Sequence, residues 1–78
     1  MIDNGTNIRI ARKIKTTEGA LIRTEVLGGW IVGAKEWPKS PKAVEIRRIL
    51  NVVKTEEPKA GWTLEFRGTE RSWHEEGK

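Results

Sequence analysis

Few side chains in this 78-residue sequence have the chemistry for catalysis. His74 is its one imidazole, and no Ser, Cys or second His stands at a spacing that would make a nucleophile–base couple. Glu56-Glu57 and Glu75-Glu76 are paired carboxylates, but nothing apolar beside them would raise a pKa, so they read as solvating charges. Gly28-Gly29 lacks the following helix that phosphate-cradling glycine motifs require. With no Cys and one His, the chain cannot assemble a structural zinc site. An enzyme would have to work with Lys, Arg and Glu alone. The expectation is therefore a binding protein, without catalytic residues, metal or cofactor.

What remains is a kit for adhesion: fifteen Lys/Arg and four Trp, with a net charge of +4. Flat aromatic faces stack or anchor, and cations attract phosphate or carboxylate. The charge is uneven. Residues 1–37 carry +2, residues 38–54 carry +4 and residues 55–78 carry −2. The positive field belongs to the body of the chain, and the C-terminal segment opposes it.

The length suits one domain, which would bury only about 60% of the surface its unfolded chain exposes. Residues 1–6 read as a loose N-terminus, 7–67 as a single α+β domain, and 68–78 as a polar segment with room for a short strand. No apolar run approaches the roughly 18 residues of a membrane span. Met1 to Gly5 has no basic and apolar leader pattern, so the expected location is cytoplasmic.

Period-two patterning begins at Asn7. Ile8, Ile10 and Ile14 share one parity, Arg9, Ala11, Lys13 and Lys15 the other, with Arg12 the one discord on the apolar side. Thr16-Thr17-Glu18-Gly19 reads as a turn and Ala20–Val26 as a second strand. Gly28-Gly29 then predicts a tight reversal into a third strand, Trp30–Trp37, stopped by Pro38. A three-residue loop there would put Ile22, Thr24, Val26, Trp30 and Val32 on one face, and Arg23, Glu25, Ile31, Lys35 and Trp37 on the other. Ser40 is an N-cap with Pro41 at the first helical position. The helix Pro41–Lys54 lines up Ala43, Ile46, Ile49, Leu50 and Val53, with Arg47, Arg48 and Lys54 opposite and Val44 and Val52 outside the stripe. Trp62, Leu64 and Phe66 alternate with Thr63, Glu65 and Arg67 as a further strand, and Arg71–His74 suggests a short last one. The expected fold is α+β: a small, mostly antiparallel sheet in the order β-β-β-α-β, one helix covering one face and the other face open.

Three surfaces follow. The first is the open sheet face, where Arg9, Lys13, Lys15, Arg23 and Lys35 would neutralise phosphates and Trp37 would stack or wedge. The bland alternative is a solvated face, which Glu25 in its midst favours. The second is an anion site at the helix start, Lys39, Ser40 and Lys42, where cations replace the acids the helix dipole normally attracts. Two lysines pointing into water are the favoured explanation, because screened surface charges cost little. The third is Trp73 with Arg71, where the Trp either caps the core edge or stands exposed as an anchor for a protein partner. Trp30 and Trp62 fall on inward parities and belong to the core.

In layout, the order of elements over residues 7–54 resembles the arm-binding domains of phage and transposon integrases, in which a three-stranded sheet backed by a helix enters the major groove. That likeness bears on Arg9, Lys13, Arg23 and Lys35. The layout is also similar to small phage-encoded inhibitors, anti-CRISPR proteins among them, which use a compact sheet and one helix to block host machinery. The leading expectation is a nucleic-acid-binding module for DNA or RNA. The alternative is a mobile-element inhibitor that binds a host protein or nucleoprotein complex. An unpaired strand edge in so small a domain also invites a homodimer.

Overall fold

The computed structural model describes residues 5–33, 37, 39–68 and 71–76. The chain forms β1 (Thr6–Lys15), β2 (Leu21–Val32), α1 (Pro41–Glu56), β3 (Thr63–Arg67) and β4 (His74–Glu75). The strands make one antiparallel sheet in the order β2-β1-β3-β4. The α+β class expected from the patterning is correct, but the element order is β-β-α-β-β.

The difference lies at Gly28-Gly29. These glycines turn nothing: β2 runs through them, pairing Gly28 with Ile10 and Gly29 with Arg9. Neither has the positive φ that a tight reversal demands, in contrast to Gly19 at φ 91° in the true hairpin tip. A side chain at Gly28 would stand 3.1 Å from the Trp30 indole, so the missing Cβ makes room for that ring. The predicted second and third strands are therefore one. The likeness in layout to integrase arm-binding domains, which needs three strands before the helix, lapses with this finding. Lys35 and Pro38 lie outside the described residues, as do the first four residues of the expected loose N-terminus.

Leu27 is an extra residue in the ladder, because Val26 pairs with Ala11 while Gly28 pairs with the adjacent Ile10. Such a bulge breaks the alternation of faces along a strand. Ile22 is a second bulge, between Leu21 opposite Lys15 and Arg23 opposite Ile14. Between the two bulges, Arg23 and Glu25 share the face of their partners Ile14 and Arg12, which is also that of Ile8 and Ile10.

β1 keeps the predicted alternation, since Ile8 and Ile10 are fully buried while Arg9 and Lys13 face the other way. The core joins Ile8, Ile10, Val32, Trp62 and Leu64 to Ile46 of the helix, with Trp30, Trp37, Ile49, Leu50, Val53 and Phe66 packed around it. The helix runs one residue pair further than its stripe predicts, to Glu56, and leaves Val44 and Val52 exposed. Its start is fixed by the Ser40 hydroxyl, which accepts the Ala43 N–H at 3.1 Å, and by Pro41. Ser40→Ala is expected to cost about 1 kcal/mol, read as a lower urea midpoint with an unchanged slope.

β3 pairs with β1 only from Asn7 to Ala11. Arg12–Lys15 and the facing part of β2 therefore continue past β3 as a two-stranded ribbon. Its tip is closed by Thr16 N–H to Ala20 O at 2.9 Å and Gly19 N–H to Thr16 O at 3.0 Å. On this ribbon Lys13, Lys15, Leu21, Ile22 and Arg23 are exposed.

Candidate functional site

On the sheet face away from the helix, β1 contributes Arg9, Lys13 and Lys15, and β3 contributes Glu65 and Arg67. These do not form one uniform basic patch. Near β3 the face is closed. Arg9 Nε donates to Glu65 Oε1 at 2.7 Å, and Glu65 retains only 2% exposure. Above this pair lies Trp73, whose ring is 4.0 Å from the Arg9 guanidinium and 4.5 Å from that of Arg67. Arg67 also donates to the Arg71 carbonyl at 3.3 Å, which ties the segment carrying Trp73 back to the sheet. Guanidinium–indole stacking favours this arrangement. Arg9 is thus a neutralised structural cation.

Beyond the stacked tryptophan is a shallow depression of about 420 Å³ lined by Asn7, Arg9, Val26, Gly29, Ile31 and Trp73. It exists because Gly29 has no side chain to fill the space over the sheet. Further out, on the ribbon, Lys13 and Lys15 are exposed and make no ion pair among the described residues. They stand beside Thr24, the cross-strand neighbour of Lys13.

Two of the expected contact residues are on the opposite face. Arg23 is carried there by the Leu27 bulge, and its Nη2 lies 3.1 Å from Glu25 Oε2. Trp37 packs on the core side, 5.8 Å from Phe66, with the Arg47 guanidinium 5.1 Å from its ring. It is a covering residue for the core, and a stacking role on the open face is ruled out by this placement.

Arg12, the discordant charge of the first strand, explains itself through cross-strand pairing. It sits opposite Glu25, donates to it at 2.6 Å, and lies 5.1 Å from the Trp62 ring. The hydrogen bond from Arg12, with the charges of Arg12 and Arg23, holds the Glu25 carboxyl below its ordinary value of 4.5, against an opposing loss of hydration.

The helix start supplies less than an anion site needs. The Ser40 hydroxyl is committed to its cap, and Lys42 reaches Glu45 at 3.4 Å. Lys39 is exposed. The carboxylate pairs also have structural partners. Glu57 accepts the Trp62 indole N–H at 3.3 Å. Glu76 accepts two hydrogen bonds from Arg47, at 2.9 and 2.7 Å, which raise the Arg47 pKa. Glu76 also donates its N–H to the Leu64 carbonyl at 2.9 Å, so the C-terminal segment is fastened to both helix and sheet. His74 faces Phe66, ring to ring at 5.7 Å.

The buried Arg9–Glu65 pair and its Trp73 cover were not foreseen. Their signal was faint: an Arg and a Glu each on the outer parity of its strand, with an orphan Trp downstream. Among the described residues, no helix is long and apolar enough to cross a membrane. Compared with protein-family models, curated proteins and solved structures, the chain matches none of them.

Proposed function

We propose that this chain is a small non-enzymatic binding module that contacts nucleic-acid phosphates through the outer face of its β1–β2 ribbon. The observation that carries the reading is the position of Lys13 and Lys15. They alternate along one face of a projecting ribbon, and no carboxylate among the described residues neutralises either. The chain's net charge of +4 adds long-range attraction. A two-stranded ribbon is also of a width that a duplex major groove of about 12 Å admits. No cofactor enters this function.

The test is a salt titration of binding to single-stranded DNA, duplex DNA and RNA. Log K is expected to fall with log salt by about 0.9 per phosphate neutralised on duplex. The double variant Lys13→Glu/Lys15→Glu is expected to flatten that slope by about 2 and to weaken binding at low salt by at least about tenfold. Both lysines are exposed, so the melting temperature should hardly move. Equal affinity at low and high salt would remove this reading.

A second reading is favoured by a separate observation. Leu21, Ile22, Val26, Leu27 and Ile31 are all about half exposed or more, and all lie on β2. Apolar surface of this kind marks protein interfaces, and it suits an inhibitor or adaptor of the type that mobile elements encode. Trp73 and Arg71 would sit at the margin of such a contact. Partners retained in a pull-down after nuclease treatment would support this class.

A further inference from the structure

Among the described residues the sheet order gives β2 a single neighbour, so its twelve residues present an edge without a strand partner. Edge strands are normally blunted by Lys, Pro, shortness, bulges or inward-pointing charges. β2 has two bulges and turns Arg23 and Glu25 toward the core side, but it is twelve residues long. β2 has neither Lys nor Pro, and its exposed residues include Leu21, Ile22, Val26 and Leu27. Its only charges are Arg23 and Glu25, on either side of Thr24.

That spacing is self-complementary. A twofold axis perpendicular to the sheet, passing through a residue of β2, pairs the strand with its own copy antiparallel and keeps each side chain on its own face. An axis through Arg23 sets two arginines opposite each other, and one through Glu25 sets two carboxylates opposite each other. Like charges in that position repel. An axis through Thr24 sets each Arg23 opposite the second copy's Glu25, and Ile22 beside the second copy's Val26. The regular stretch between the bulges, Arg23 to Val26, spans this centre. Arg23 is free to turn, since its side chain is 65% exposed and is held by one contact of 3.1 Å.

We propose that this chain forms a twofold dimer by antiparallel pairing of β2 with β2 of a second copy, centred on Thr24. The pairing satisfies the open edge, covers the apolar side chains beside it and selects one register by charge. It stands independently of phosphate binding by Lys13 and Lys15. A contact of this length falls below the roughly 1,200 Å² of standard interfaces, so the dimer exchanges with monomer and its population rises with concentration.

Sedimentation velocity over about a hundredfold range of concentration should show the mass moving from one copy to two. Arg23→Glu alone and Glu25→Arg alone should each weaken assembly by at least about tenfold, because each sets like charges opposite. Mixing the two variants should restore it, since every mismatch then meets its complement across the mixed pair. Ile22→Lys, which leaves Arg23 and Glu25 in place, should also favour the monomer and guards against misfolding of an Arg23 or Glu25 variant, with circular dichroism confirming the fold. A wild-type monomer at every concentration would overturn the proposal. So would a dimer indifferent to Arg23→Glu and Ile22→Lys, or folded charge variants that fail to assemble when mixed.

Discussion

Replacing Arg9 by Met is expected to destabilise the fold by about 3 kcal/mol, near the lower end of the range for breaking a buried ion pair. The Glu65 side chain is 3% exposed and lies 2.7 Å from Arg9 Nε, so removal of the guanidinium leaves a carboxylate shut away from water. The estimate sits low because Arg9 itself retains 19% exposure, which leaves a path for hydration. The same substitution also removes one of the two guanidiniums stacked on Trp73. The double variant Arg9→Met/Glu65→Met is expected to recover most of the loss, because apolar groups of similar volume need no counter-charge. Urea unfolding of the two single variants and the double measures the coupling. If Arg9→Met melted like wild type, the pair would be an ornament of the surface.

Ile10→Ala is expected to cost about 2–5 kcal/mol, because Ile10 is fully buried in β1, one of the two inner strands. A chain of this size has roughly 4–12 kcal/mol of stability in total. The melting temperature should therefore fall by upward of about 10 °C. Val52→Ala, on the exposed side of the helix, should change stability by less than about 0.5 kcal/mol. Two thermal melts check both values. A small effect at Ile10 would mean that the β1–α1–β3 packing is not what holds the chain together.

Much of this architecture could be read from alternation alone, wherever a strand or helix keeps one period. The isoleucines of β1, the helix stripe through Ala43 and Ile46, and the inward Trp62 and Leu64 all lie where their spacing puts them. The reading failed at Leu27, where one inserted residue exchanges the faces of β2. Two adjacent glycines then resembled a turn, and the parity assigned to Arg23 was reversed. Nothing local distinguishes a glycine pair that reverses the chain from one that clears space for a neighbouring indole. The site was harder still. Arg9 and Glu65 are 56 residues apart, and only the pairing of β1 with β3 brings them together. Periodicity says which way a side chain points. It is silent about which distant strand arrives beside it.

The inner strand β1 acquires its two neighbours at different times. β1 and β2 are contiguous but for a short tip, whereas β3 begins at Thr63, after the whole helix. On a ribosome adding about 5–20 residues per second, roughly 2–7 s separate synthesis of Val32 from that of Arg67. A β1–β2 hairpin formed in that interval would hold Ile8 and Ile10 with one flank unclaimed, and the helix is the first element that could shelter them. Delay in translating residues 33–67 would lengthen the vulnerable window, and losses to aggregation should rise with it.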